Sequence, residues 1–217
     1  KEDPLSHEEA MALLRVTVKS KDDKVVGRIF TAKVVELALA NYPGWFSKDS
    51  ISSGTPFVLY WPTTIDSKFV KEIVNIDNKS IEITPTNQMN LSSHKFTFDK
   101  PEIATYESEE KQETFFGRLV GARSGDKGGC ANLGVWVKTD DAYSFLFHYL
   151  TVDKLKELLK DLEQYDIERY DFPNVRAVNF YIHGILGDGA SSNTKVDALA
   201  KSLGEYLRAK KVSIPKQ

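Results

Sequence analysis

Arg123-Ser-Gly-Asp-Lys-Gly-Gly-Cys-Ala-Asn-Leu-Gly-Val135 is the stretch from which the fold is read. It sets three charges, a run of glycines and an asparagine between two segments with strand character. Upstream, Phe115 to Ala122 reads as a strand interrupted by Gly117 and Gly121. Downstream, Asn132 to Lys138 alternates, with Leu133, Val135 and Val137 on one side. A hydrophobic core has no use for the charged middle part. A loop around a polar or anionic ligand does.

Working outward, Thr151 caps an expected helix whose Leu155, Leu158, Leu159 and Leu162 follow helical spacing. Ile167 to Phe172 reads as a strand stopped by Pro173. Arg176 to His183 is a further strand, with Val178, Phe180 and Ile182 on one face and Asn179, Tyr181 and His183 on the other. The last helix is expected to start near Ser192 to Thr194. Its stripe is Val196, Leu199, Ala200, Leu203, Tyr206 and Leu207, and Asp197 suits its positive end. The order over residues 113 to about 210 is therefore ββαββα. With both helices on one sheet face, this is an α+β, ferredoxin-like two-layer sandwich. If helices cover the apolar face, Asn179, Tyr181 and His183 line a cleft closed by another domain or subunit, or simply form a wet sheet face.

The first half reads as a mixed α/β segment without a complete core of its own. Ser6-His-Glu-Glu9 is a capping box opening a short helix. Thr31 to Asn41 is a second helix, ended by Pro43-Gly44. Strands are expected over Thr55 to Trp61, Phe69 to Asn75 and Ser80 to Thr84, with an Asp77-Asn78 turn between the last two. Phe96 and Phe98 mark another. Residues 106–112 are polar and acidic and read as a linker. The division is thus 1–105, the linker 106–112, and a ferredoxin-like domain over 113–217.

The chain has 217 residues, 41% hydrophobic and 28% charged, a globular composition. Its 29 basic and 31 acidic residues give a net charge of −2, which argues against nucleic acid as a partner. No apolar run reaches the about 20 residues of a membrane span. The single cysteine, Cys130, excludes an internal disulfide and fits a reducing, cytoplasmic setting. Cys130 is read as a small residue in a tight turn. The histidines lack partners at metal spacing, so no metal site is expected. No Gly-x-Ser-x-Gly elbow or P-loop is present.

Within the charged loop, Arg123 can grip a carboxylate or phosphate bidentately. Lys127 adds a mobile charge, and Asp126 orients the cations or moves a proton. Asn132 offers both donor and acceptor, and consecutive glycines can form an anion nest. A solvated loop with a local ion pair is the competing reading. A second Gly-rich segment, His183 to Ser192, either presents free N–H groups at a helix start or is a flexible turn. The candidate site combines Asp126 and Lys127 as catalytic residues with Arg123, Ser124, Asn132, Asn179, Gly187 and Asp188 as substrate-binding residues.

Three strings together, Ala122-Arg-Ser-Gly-Asp-Lys-Gly-Gly-Cys-Ala-Asn-Leu-Gly-Val135, Arg169-Tyr-Asp-Phe-Pro-Asn-Val-Arg-Ala-Val-Asn-Phe180 and Gly184-Ile-Leu-Gly-Asp-Gly189, resemble the acyclic terpene utilisation (AtuA-like) family. Residues from about 113 to 210 look like its C-terminal ferredoxin-fold domain. Val26-Gly-Arg-Ile-Phe30, Val35-Glu-Leu-Ala-Leu-Ala-Asn-Tyr-Pro-Gly44 and Tyr60-Trp-Pro62 are similar to the end of its large N-terminal domain. The family often has a polar residue where Cys130 stands. The resemblance implies a C-terminal part of a longer catabolic protein, consistent with Lys1 at the start. It implies an acyl-CoA-like or carboxylate ligand from terpene or branched-acid breakdown, no other cofactor, and a hydration or isomerisation. The expected partners are that small anion, an upstream N-terminal domain and further copies in a homo-oligomer. The rival expectation is a non-catalytic assembly domain that docks to the N-terminal domain or a partner subunit.

Overall fold

The structure, a computed structural model, describes residues 2–37, 43–48, 53–83, 102–105 and 110–216. Among these, none before residue 106 is buried. Helix α1 (His7–Ala10) is capped by Ser6, whose Oγ accepts from Glu9 N–H at 3.2 Å. The Glu9 carboxylate accepts in return from Leu5 N–H at 2.9 Å, one residue earlier than a capping box requires. Helix α2 is Phe30–Leu37; residues 38–41 of the expected helix lie outside the described residues.

Strands β1 (Glu72–Ile76) and β2 (Lys79–Ile83) form an antiparallel hairpin around Asp77-Asn78. Both turn residues have positive φ, 48° and 63°, as the mirror-image turn of a twisted hairpin needs. The strand expected over Thr55 to Trp61 is not formed. Its Val58, Leu59, Tyr60 and Trp61 are exposed. β-propensity without a partner strand leaves backbone groups to solvent, so the run stays irregular. The strand around Phe96 and Phe98 lies outside the described residues, as do Thr84 and residues 106–109.

The second part runs β3 (Lys111–Phe115), β4 (Gly121–Lys127), β5 (Cys130–Trp136), α3 (Asp140–Tyr149), α4 (Val152–Leu158), β6 (Ile167–Phe172), β7 (Ala177–Ile182), α5 (Leu203–Arg208) and β8 (Lys211–Pro215). Compared with ββαββα, this adds two strands and one helix. Strands β4-β5-β7-β6 form one fully antiparallel sheet, and β3 pairs with β8 separately. Lys111 and Gln112, expected in a linker, are strand residues of β3. The strand expected over 115–122 is split by a 3-10 turn at Phe116–Arg118.

Helix α3 carries a signal that the expectation passed over. Thr139 Oγ1 accepts from Ala142 N–H at 3.3 Å, and Asp140 and Asp141 sit in the first turn. Helix α5 starts at Leu203, not near Ser192. The reason is Asp197, whose carboxylate takes Lys201 N–H at 2.8 Å, Ser202 N–H at 2.8 Å and Ser202 Oγ at 2.7 Å. These short-range bonds compete with helix and hold residues 197–202 as a turn. Val196 is left 86% exposed rather than on a buried stripe.

One core joins these elements. Leu133, Val135, Phe180 and Ile182 of the sheet are fully buried with Leu146 of α3, Leu155 of α4 and Leu207 of α5. All three helices thus contribute to the same buried cluster as these sheet residues. Helix α5 lies so close to β4 that a Cβ on Gly204 would sit 3.2 Å from the Ala122 carbonyl carbon.

Candidate functional site

The charged segment is a tight hairpin and not a long loop. Arg123 to Lys127 are residues of β4, Cys130 begins β5, and only Gly128 and Gly129 turn the chain. Gly128 has φ +63°, at the first turn position where an L side chain is strained. The second Gly-rich segment folds onto this turn: Leu186 N–H donates to Gly129 O at 2.9 Å, and a Cβ on Gly129 would lie 2.1 Å from Gly187 O. That segment starts no helix. Gly187 N–H and Gly189 N–H are spent on Gly184 O and Leu186 O, so of the two readings of this segment the turn is formed and the helix-start anion site is not. Gly187 and Asp188 instead lie beside the hairpin turn, and Asp188 pairs with Lys19 Nζ at 3.6 Å.

Successive strand residues point to opposite faces, so register decides which candidates meet. Ser124 pairs with Leu133 and Asp126 with Ala131, which places both on the helix-covered face. Ser124 is 5% exposed, and its Oγ accepts from Gly204 N–H of α5 at 3.1 Å. Ser124 thus faces away from any ligand on the open side and acts as an anchor for α5. The Asp126 side chain lies across the sheet from those of Arg123 and Lys127, and Lys127 Nζ donates instead to the Asp126 backbone carbonyl at 3.0 Å. Among the described residues, no ion pair joins it to either cation. The expected Arg–Asp–Lys cluster is therefore not assembled.

Arg123 and Lys127 fall on the open face, where the pairings build rows across the sheet. Arg123 stands beside Gly134, Asn179 and Tyr170; Gly125 beside Asn132, Tyr181 and Glu168; Lys127 beside Cys130. Arg123 and Lys127 thus share this face with Asn132 and Asn179, which are joined by a bond from Asn132 Nδ2 to Asn179 Oδ1 at 3.3 Å. A further cation was not anticipated. Lys201, just before α5, brings its Nζ to 3.0 Å from where a Cβ on Gly125 would lie. The missing side chain at Gly125 is what admits it. Glycines at 125 and 134 leave a strip of this face, here called the trough, beside two amides and three cations.

At the other side of the face is a hydrogen-bonded chain. His183 Nε2 meets Glu168 Oε1 at 2.7 Å, and the Tyr170 hydroxyl donates to Glu168 Oε2. The Tyr181 ring lies edge-on to His183 at 4.9 Å between centroids. Gly184 N–H donates to Cys130 Sγ at 3.5 Å. Tyr170 and His183 together hold the Glu168 carboxyl below its ordinary range, and Glu168 in turn raises the Tyr170 phenol. The hydrogen bond with Cys130 raises the Tyr181 phenol. Alternation along Arg176–His183 had already set Asn179, Tyr181 and His183 on one face. Glu168, Tyr170 and Lys201 were missed. The third end of the face is apolar, with half-exposed Trp136 and Phe172 flanking Ala177.

Among the described residues, no group of three or more His, Cys, Asp or Glu side chains is placed to hold a metal ion. No helix among them is long and apolar enough to cross a membrane.

Comparison with known proteins adds one match. Residues 116–213 match the family model described as the AtuA ferredoxin-like domain, which spans the sheet, its helices and the trough. No curated protein and no solved structure gave a match.

Proposed function

We propose that the AtuA ferredoxin-like domain carried by this chain uses its open sheet face to hold a small anionic metabolite, a carboxylate or acyl-CoA-like intermediate of terpene or branched-acid breakdown. In this reading the helices stack on one sheet face as a two-layer sandwich, and the other face presents the trough. The observation that carries the reading is the Arg123 guanidinium: it is exposed on the open face, and among the described residues no hydrogen bond or ion pair engages it. Lys127 lies on the same strand, Lys201 reaches Gly125 of that strand from the segment before α5, and the Asn132–Asn179 pair supplies neutral donors to a carbonyl or carboxylate oxygen. Trp136 and Phe172 offer an apolar rest for a hydrocarbon chain. A cytoplasmic homo-oligomer, working with an N-terminal domain of the same protein, is the setting we propose for it.

A charge-assisted hydrogen bond contributes about 1.5–3 kcal/mol, so Arg123→Ala should weaken binding roughly 10- to 150-fold. Calorimetric titration of the chain with isovaleryl-CoA and with free isovalerate measures this. Equal affinity in a folded Arg123→Ala variant overturns the reading.

The exposed Trp136, Phe172 and Val175 also favour a second reading, in which this face docks to an N-terminal domain or partner subunit without chemistry. In that case Trp136→Ser changes the oligomeric mass in solution, and neither ligand binds.

A further inference from the structure

We infer that the His183 imidazole, oriented by Glu168 and Tyr170, is the proton-transfer group for a ligand lying in this trough. The inference rests on the ligand reading above and deepens it by naming the acid–base group.

The chain of contacts sets the imidazole's state. Both Glu168 oxygens are engaged, Oε1 by His183 Nε2 at 2.7 Å and Oε2 by the Tyr170 hydroxyl. A carboxylate held from both sides accepts; the bond it accepts from the imidazole places the hydrogen on Nε2. In the neutral ring Nδ1 is then left as the basic nitrogen. The lowered carboxyl of Glu168 agrees with this polarity. Tyr181, edge-on at 4.9 Å and 77°, fixes the ring plane. The groups facing His183, the residue after β7, are Glu168 and Tyr170 of β6, Tyr181 of β7, Cys130 of β5, Lys127 beyond it on β4, and Asp166, whose carbonyl accepts the His183 N–H at 3.0 Å.

Register also sets the reach. Lys127 stands two strands from His183, about 10 Å at the usual strand spacing. A thioester anchored at the cation column of β4 therefore brings its acyl part over Asn132 and toward the imidazole. The second N–H of the Asn132 amide, the first being given to Asn179, faces a carbonyl oxygen there. The C–H bond α to that carbonyl breaks, the proton goes to Nδ1, and the electron pair moves to the carbonyl oxygen as an enolate. The imidazolium, balanced by Glu168, returns the proton to the same carbon, or to the γ-carbon of an unsaturated chain, which shifts the double bond. Nothing is oxidised or reduced. Glu168 and Tyr170 are positioning residues.

The test is exchange of the α-protons of isovaleryl-CoA in D2O, followed by proton NMR with the whole chain, alongside calorimetric binding. General base catalysis contributes about 100- to 10,000-fold. We expect His183→Gln to lose at least 100-fold in exchange while binding is kept. In Glu168→Gln the exchange kcat falls while KM is kept, because the ring loses the partner that orients it; Tyr170→Phe gives a smaller loss of the same kind. Binding without exchange above buffer, or exchange unchanged in His183→Gln, overturns this inference and leaves the binding reading standing. Failure of the wild-type chain to bind overturns both.

Discussion

Ser124→Ala separates the two faces of β4 in one experiment. Ser124 is 5% exposed, and its hydroxyl takes the Gly204 N–H at 3.1 Å. Gly204 is the second residue of α5, so its N–H has no acceptor inside the helix. The N-cap residue, Ser202, makes no side-chain cap bond, and Gly204 is itself buried, which keeps water from taking over. Removing one hydroxyl therefore leaves a buried donor unpaired, at about 1–3 kcal/mol. In a domain of this size each kcal/mol moves Tm by about 4–8 °C, so a loss of about 2 kcal/mol lowers it by about 8–16 °C. Urea unfolding followed by far-UV circular dichroism gives the free energy, and titration with isovaleryl-CoA gives the affinity. The expected result is lost stability with unchanged affinity. A stability change below about 0.5 kcal/mol, or lost affinity in a fully folded variant, would refute the placement of Ser124 behind the sheet.

Two further predictions use the same unfolding assay. The two turn glycines should differ: Gly129→Ala drives a Cβ into Gly187 O at 2.1 Å and costs about 1–3 kcal/mol, whereas Gly128→Ala meets only open space and pays about 1–2 kcal/mol for its φ of +63°. A larger loss in Gly128→Ala would contradict the packing of the two Gly-rich segments. At Asp197, burial pushes the carboxyl up, but hydrogen bonds from Ser202 and Lys201 prevail and hold it below the ordinary range. A lowered carboxyl contributes stability that is present above its unfolded value and lost as pH falls through the folded one. The gap between wild type and Asp197→Asn should accordingly be full at neutral pH and close in acid; a gap that widens on acidification contradicts the capping role.

Strong alternation made the centre of the sheet legible. Leu133 and Val135, then Val178, Phe180 and Ile182, announce their strands because both segments bury one face against helices. The Thr151 cap of α4 was equally readable, and its Oγ1 takes Lys154 N–H at 3.1 Å. Arg123 to Lys127 misled because charge was read as loop, whereas a strand with neighbours on one side tolerates charge on its open face. Helix α3 was passed over because its buried stripe of Tyr143 and Leu146 is short and set among aromatics. In the candidate site, Arg123, Lys127, Asn132 and Asn179 were identifiable by side-chain chemistry. Glu168 and Tyr170 were not, because they become neighbours of His183 only through the β6–β7 pairing. Lys201 enters through the absence of a side chain at Gly125, a signal with no local pattern.

The sheet order β4-β5-β7-β6 gives the cation column a second consequence. Among the described residues strand β4 has a partner strand on one side alone, so its other side offers backbone N–H and C=O groups to another extended chain. Such margins seed association between molecules, and charge is one of the means that keeps them apart. Arg123, Asp126 and Lys127 put three charges, on both faces, along the seven residues of this strand. The residues that attract a metabolite would then also repel a second copy of the strand. Neutralising the two cations together should therefore make the protein self-associate with rising concentration, and a bound anion should push it in the same direction.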